Sequence, residues 1–268
     1  MLDIDTYLKH LGYTGTAEPS AENLRELHRK HMITVPFDNS RNAAKGLAIW
    51  DDVDAGADVF YDELIAQGRG GICHEHAGLI RGVLTGLGYD VTVVSAGVRG
   101  ANDQFGPDLE HMMNLVRLGD DEWLVDVGFA GPSFTEPVRV SADVQTQNGF
   151  DYQVVPEGEH LVLRRRGNAT DWQAVYRFTT QERQYAEWKA IVTGENDDPY
   201  WHWAGEMIAA GTLIYGRAYE TGQLLLVGRR HLRAEDGVDH VRVLSKTDDY
   251  QASIRHILRE DAEVSSGD

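Results

Sequence analysis

Arg69-Gly70-Gly71-Ile72-Cys73-His74-Glu75 is the stretch on which the rest of the chain turns. Adjacent glycines allow a tight, flexible backbone approach. After Cys73 the sequence reads as a helix, with Leu79, Ile80, Val83, Leu84 and Leu87 as its apolar positions and Gly86 and Gly88 marking its end. Cys73 therefore stands at a helix start. There, free N–H groups and the helix dipole favour a thiolate and draw a thiol pKa down from roughly 8.5 towards neutrality. A lone cysteine is ordinarily a small buried hydrophobe, but a core cysteine needs no glycine-rich approach.

Downstream the period changes from helical to alternating. His111 to Leu118 and Glu122 to Val127 read as strands, and Leu118-Gly119-Asp120-Asp121 reads as the turn between them. In that register Leu118 faces Asp121 and Met113 faces Asp126. His111 then becomes a diagonal neighbour of Asp126 on one face, within side-chain reach. Cys73, His111 and Asp126 so make a candidate nucleophile, a base and the carboxylate that orients it. A hydrogen-bonded surface pair is the plainer reading of the last two. Cys73, His74, Glu75, His76 and His111 could also be read as metal ligands. Their spacing fits no zinc pattern and adjacent residues converge poorly, so no metal is expected.

The same triad serves a cysteine hydrolase, in which water replaces an amine, and a catalytically inactive binding module would keep only the fold. The net charge of -18 disfavours nucleic acid and anionic membrane surfaces. No apolar run is long enough to span a bilayer. Met1 to Leu8 lacks the basic and apolar regions of a signal peptide. A single cysteine allows no intrachain disulfide, and a cytoplasmic setting is expected.

The N-terminal third reads as helical. Ile4, Tyr7, Leu8 and Leu11 form one stripe ended by Gly12. Ser20 caps a second helix whose Leu24, Leu27, His28 and His31 share a face. Pro36 stops it, and Val35-Pro36-Phe37-Asp38-Asn39 is extended. A third helix runs from about Val59 to Gln67. Further strands are expected at Val91 to Gly97, Tyr152 to Val155, Leu161 to Arg165, Gln223 to Val227 and Val241 to Leu244. A helical stretch lies near Glu206, a closing helix spans Tyr250 to Leu258, and an acidic tail spans Glu260 to Asp268. Tyr200, Trp201 and Trp203 follow Pro199. They either line a wide apolar cleft over Cys73 or pack the third domain against the second. Arg164-Arg165-Arg166 and Arg229-Arg230-His231-Leu232-Arg233 are the densest basic clusters, as docking patches for an acidic partner or as solvated strand ends.

The chain resembles the arylamine N-acetyltransferase family. The resemblance rests on Leu27-His28 with His31, on Val35-Pro36-Phe37-Asp38-Asn39, on the Arg-Gly-Gly-x-Cys run ending at Cys73, on His111, on Leu124-Val125-Asp126-Val127-Gly128-Phe129 and on Tyr176-Arg177-Phe178-Thr179. It implies an α+β fold with a papain-like catalytic core. The parts are a helical bundle (1–90) carrying the cysteine, a β-barrel (91–190) carrying His111 and Asp126, and an α/β lid (191–268). It implies Cys73, His111 and Asp126 as the triad, and substrate contacts from Phe37, Arg69, Gly70, Gly71, Ile72, Gly128, Phe129, Tyr200, Trp201 and Trp203. The implied partners are an acyl thioester and an aryl amine, with no tightly bound cofactor.

The departures cluster where substrates bind. His74 follows the cysteine where Phe is usual, Ala77 replaces an Asn, and Ala130 replaces a Gly. Gly106-Pro107-Asp108-Leu109-Glu110 and Gly131-Pro132-Ser133 resemble the amide synthase branch that closes ansamycin macrolactams. That branch draws its acyl chain from the phosphopantetheine thioester of an acyl carrier protein, whereas an ordinary member uses acetyl-CoA.

Overall fold

The computed structural model describes residues 1–100, 103–209 and 211–259, with the side chains of residue 203 and residues 206–209 excepted. The acidic tail at 260–268 lies outside the described residues.

Helix α1 (Ile4–Leu11) is capped by the Asp3 carboxylate, which accepts from the Thr6 N–H, and ends at Gly12 in the left-handed region. Helix α2 (Ala21–Thr34) is capped by Ser20 as expected, and its Leu24, Leu27, His28 and His31 are all buried. Strand β1 (Phe37–Asp38) follows. The expected third helix divides into α3 (Ala57–Tyr61) and one wide π-turn over Asp62–Ala66. Helix α4 (Cys73–Gly86) begins at the cysteine. The stripes of α1, α2 and α4 meet in one core around Tyr7, Leu11, Leu24, Leu27, Leu79, Ile80, Val83 and Leu84.

The middle of the chain forms an eight-stranded antiparallel sheet. Its strands are β2 (Asp90–Val98), β3 (His111–Leu118), β4 (Asp121–Val125), β5 (Val138–Arg139), β6 (Gln145–Gln147), β7 (Phe150–Glu157), β8 (His160–Arg166) and β9 (Gln173–Phe178), in the order β5-β4-β3-β2-β9-β8-β7-β6. Contacts between β5 and β7 bring the two ends together into a nearly closed barrel.

Strand β3 is buried on both faces, and its period of two decides what each face meets. Met113 and Leu115 enter the barrel interior with Leu124, Leu163, Tyr176 and Phe178. Val116 turns to the helical core, and Asn114 donates to the Ala77 carbonyl of α4 at 2.9 Å. The barrel thus packs directly on the helix that starts at Cys73.

Helices α5 (Tyr185–Val192) and α6 (Pro199–Ala209) join Trp50 at the end of a short 3-10 turn (Gly46–Trp50). Trp188, Trp201, Val93 and Met112 complete this third cluster. The last part is an antiparallel sheet of β10 (Ile214–Tyr219), β11 (Gly222–Val227), β12 (Arg230–Glu235) and β13 (Val238–Val243), with α7 (Thr247–Leu258) on one face. Strand β1 pairs with β10, Phe37 opposite Gly216, so the N-terminal third contributes an edge strand to this sheet. No helix among the described residues is long and apolar enough to cross a membrane.

Candidate functional site

The hairpin register read from the sequence holds: Leu118 pairs with Asp121 and Asn114 with Val125. His111 therefore shares the barrel-facing side with Met113 and Leu115, and Asp126 follows one residue beyond β4 on that side. His111 Nε2 donates to Asp126 Oδ2 at 2.9 Å, with both residues buried, 4% and 2% exposed. The ring is held edge-on to Phe129. Asp126 also accepts from the Gly128 N–H at 3.4 Å. Its own N–H donates to His28 Nε2 at 3.2 Å, and His28 Nδ1 donates to the Thr135 carbonyl at 2.9 Å. Burial holds His28 down, to about 4, so it buttresses Asp126 as a neutral ring.

The second half of the site comes from α4. Gly70 and Gly71 bring the chain alongside β1. The Gly71 carbonyl accepts from the Asp38 N–H at 2.9 Å, and a Cβ on Gly70 would stand 2.4 Å from Asp38 Cβ. The Ile72 N–H is capped by the Glu75 carboxylate at 2.7 Å. On the opposite side, a Cβ on Gly128 would lie 2.9 Å from Cys73 Cα. Bare backbone at position 128 therefore lets barrel and helix close on each other at the cysteine.

With His111 Nε2 committed to Asp126, Nδ1 is the nitrogen left for the thiol. Burial pushes the Cys73 thiol up. Hydrogen bonding and charge from His111, and then from His74, outweigh it and hold the thiol well below its ordinary value. His111 is raised: burial works against its charged form, and the Asp126 carboxylate and the sulfur overcome that. Cysteine and histidine therefore favour a thiolate–imidazolium pair.

His74 was read in the sequence as a departure and as a metal ligand that the spacing disfavours, not as the partner of an aspartate. Its ring is 1% exposed and lies against Trp50 and Phe60, with centroids 5.3 and 5.9 Å away. Nε2 donates to Asp52 Oδ1 at 3.0 Å, and Nδ1 has no hydrogen-bond partner among the described residues. Burial would discharge it, but Asp52 and the Cys73 sulfur raise it. A second His–Asp pair thus acts on the cysteine beside His111–Asp126. Sequence reasoning missed the second because Asp52 sits in a loop 22 residues before His74, with no periodic signal to link them.

His76 points elsewhere. Tyr7 donates to His31 Nδ1 at 2.6 Å, His31 Nε2 to His76 Nδ1 at 2.8 Å, and His76 Nε2 to the Pro36 carbonyl at 3.2 Å. Burial holds His31 and His76 down, so this chain of neutral rings ties α1, α2 and α4 together. Among the described residues no cluster of three or more metal-ligating side chains occurs.

A cleft of about 620 Å³ opens over Cys73 and His111. Of the expected substrate contacts, Phe37, Ile72, Gly128, Phe129, Tyr200 and Trp201 line it. Arg69, Gly70 and Gly71 do not. Arg69 is exposed elsewhere and the glycines are spent on the approach to β1. The Trp203 side chain lies outside the described residues. Trp201 meets both readings of the aromatic segment, since it packs in the Trp50–Trp188 cluster and also borders the cleft. Glu110 was not foreseen. It borders the cleft, accepts from the Val98 N–H at 2.8 Å and from the Tyr200 hydroxyl, and is raised by burial.

The first basic cluster is neutralised in place: Arg164 pairs with Glu157, Arg165 with Asp239 and Arg166 with Asp151.

The N-acetyltransferase family model matches residues 20–265. Proansamycin X synthase of Amycolatopsis mediterranei (strain S699) is 36% identical over 263 residues, covering 97% of this chain and 98% of that protein. Arylamine N-acetyltransferase of Mycobacterium tuberculosis (strain ATCC 25618 / H37Rv) is 33% identical over 230 residues, covering 78% and 80%. The solved structure of Mycobacterium marinum arylamine N-acetyltransferase in complex with CoA superposes with a TM-score of 0.75 at 26% identity, covering 97% of this chain and 94% of that one.

Proposed function

This chain belongs to the arylamine N-acetyltransferase family and is an N-acyltransferase, and within that family we propose that it is an amide synthase working through an acyl-enzyme on Cys73. The observation that carries this reading is a helix-start cysteine facing a buried His111–Asp126 pair on the floor of an apolar cleft.

In the first half-reaction the Cys73 thiolate attacks the carbonyl carbon of a pantetheine thioester. The C–S bond to the donor breaks, and the departing thiolate takes the proton from His111. In the second, the amine nitrogen, largely neutral at pH 7 for an aryl amine, attacks the Cys73 thioester. A C–N bond forms, the nitrogen's proton passes to His111, and the Cys73 thiolate is restored. The Cys73 backbone N–H, at the free end of α4, is an oxyanion donor. His74 adds a second cation beside the sulfur.

The choice of amide synthase is supported by the match to proansamycin X synthase along the full length of both chains, and by the apolar walls Phe37, Ile49, Trp50, Tyr200 and Trp201 leading away from Cys73. Each buried CH₂ of a long acyl chain contributes roughly 0.8 kcal/mol that acetyl lacks. A carrier protein is then the natural bearer of the donor, and the chain's own aryl amine closes a macrolactam. The second reading, acetyl transfer from acetyl-CoA to free arylamines, is favoured by the likeness to the CoA-bound M. marinum enzyme.

Intact-protein mass spectra after incubation with acetyl-CoA and with a long-chain N-acetylcysteamine thioester separate the two. The expected result is an acyl adduct formed much faster from the long chain and absent in Cys73→Ala. Rapid acetylation with no gain from chain length makes the chain an arylamine N-acetyltransferase. An adduct that persists in Cys73→Ala removes the mechanism.

A further inference from the structure

The C-terminal sheet carries a second cavity, of about 710 Å³, on the face that α7 covers. Strand register explains its chemistry. Arg217 pairs with Leu224 and Leu224 with Arg233, and His231 pairs with Arg242. These side chains therefore stand on one face of β10 to β13. His256 and Arg259, from the last turn and cap of α7, close the rim, so among the described residues six basic side chains and no acidic one line the cavity. In a protein of net charge -18 this is an inversion of the surrounding field.

The floor residue is the most telling. Arg217 Nε and Nη1 are shut away from solvent and meet no acceptor among the described residues. Burial and the nearby Arg259 pull the guanidinium down, to about 9. Burial, together with Arg242, Arg233 and His256, lowers His231 as well. Arg233 is partly satisfied by Glu235 at 2.6 Å, but no ion pair reaches Arg217, Arg242 or Arg259 among the described residues. A half-buried guanidinium with two nitrogens shut in and unpaired among the described residues is costly and favours an anion.

We propose that this cavity is a binding site for a phosphate-class anion, a phosphate monoester or pyrophosphate, held by the Arg217 guanidinium with Arg242, Arg259 and the two histidines around it. The planar guanidinium fork suits phosphate oxygens, and convergence of several cations from three strands and a helix favours a multiply charged ligand over a single carboxylate. The site is distinct from the catalytic cleft. Ile214 of β10 borders that cleft while Arg217, three residues along the strand, faces the opposite side.

Thermal unfolding of the full chain tests this in a chloride buffer, with sodium pyrophosphate, inorganic phosphate, coenzyme A or pantetheine added at matched ionic strength. Pyrophosphate at about 100 times its Kd should raise Tm by roughly 5 °C. Arg217→Gln should abolish the rise and, having lost a half-buried charge with no ion-pair partner among the described residues, should unfold no earlier than wild type without anion. Arg242→Gln alters only an exposed strand residue, so it folds in any case and should weaken the response several-fold. If the coenzyme A response survives Arg217→Gln while the pyrophosphate response does not, the ligand is a free phosphate compound. If both vanish, the phosphates of the pantetheine donor reach the site. No pyrophosphate response in wild type, or an equal response in both variants, overturns the proposal.

Discussion

Two His–Asp pairs address one sulfur at nearly the same bond length, and they are built in opposite ways. His111 and Asp126 meet at 2.9 Å inside the rim of the barrel, and the carboxylate is backed by Gly128 and His28. His74 and Asp52 meet at 3.0 Å, with the ring buried but the Asp52 side chain 42% exposed. A carboxylate removed from water acts through a low effective dielectric, whereas one at the surface is screened by solvent and salt. Distance alone would rank the pairs equal. On the proposed mechanism, burial assigns the chemistry to the first pair and leaves the second to modify the thiol.

The largest expected effect breaks the first pair. His111→Gln and Asp126→Asn should each lower single-turnover acylation of Cys73 by roughly 10³ to 10⁴, because base and orienter act as a unit. His74→Gln and Asp52→Asn should cost about tenfold or less. Comparable losses on both sides would erase the distinction drawn from burial.

A smaller and sharper effect lies in pH. The thiol is drawn to about 6 by hydrogen bonding and charge from both rings acting against burial, so the alkylation rate should climb as pH rises through that value. The groups facing His74 are Asp52, Cys73 and Glu75, with His76 beyond. Removing His74 takes one cation from the sulfur and moves the curve to higher pH. Iodoacetamide labelling of His74→Gln should be about three- to tenfold slower than wild type at pH 6 and nearly equal at pH 9. A profile that does not move would make His74 a packing residue only.

The two pairs also differ in how legible they were. His111 and Asp126 lie on one hairpin, and placing its turn at Gly119-Asp120 was enough to read the register that the structure has. The helix at Cys73 was legible from its glycines and apolar spacing. The second pair joins a loop aspartate to a helix through the Trp50 cluster, a contact that no local period encodes. The same reason hid strand β10: it carries Gly216 in its middle and takes its edge partner from Phe37–Asp38, some 180 residues earlier. Strand β12, with Arg230, His231 and Arg233 exposed or half-buried, offered no alternation to read.

The smallest expected effect is on stability, and its sign with pH separates an ion pair from packing. His74→Phe places an apolar ring among Trp50 and Phe60, so packing is largely kept while the link to Asp52 is lost. His74 is raised from its ordinary 6.5 to about 9 when folded, with burial opposing and Asp52 and the Cys73 sulfur prevailing. A raised folded value means that its stabilisation is complete below the unfolded value and fades as pH climbs through the folded one. Asp52 is lowered by its hydrogen bond from His74, so its share is present above the ordinary carboxylate range and fades in acid. The pair therefore stabilises most between about pH 5 and 7. Because Asp52 is solvent-screened, its worth is about 1 kcal/mol or less, which corresponds to roughly 2 °C in Tm for a chain of this size. His74→Phe should unfold slightly earlier than wild type at pH 6, and the gap should close or reverse at pH 10, where a neutral imidazole has nothing left to offer Asp52 that a phenyl ring lacks beyond one hydrogen bond. A gap that stays constant from pH 6 to 10 would place the difference in packing and leave His111–Asp126 as the one charged pair at the sulfur.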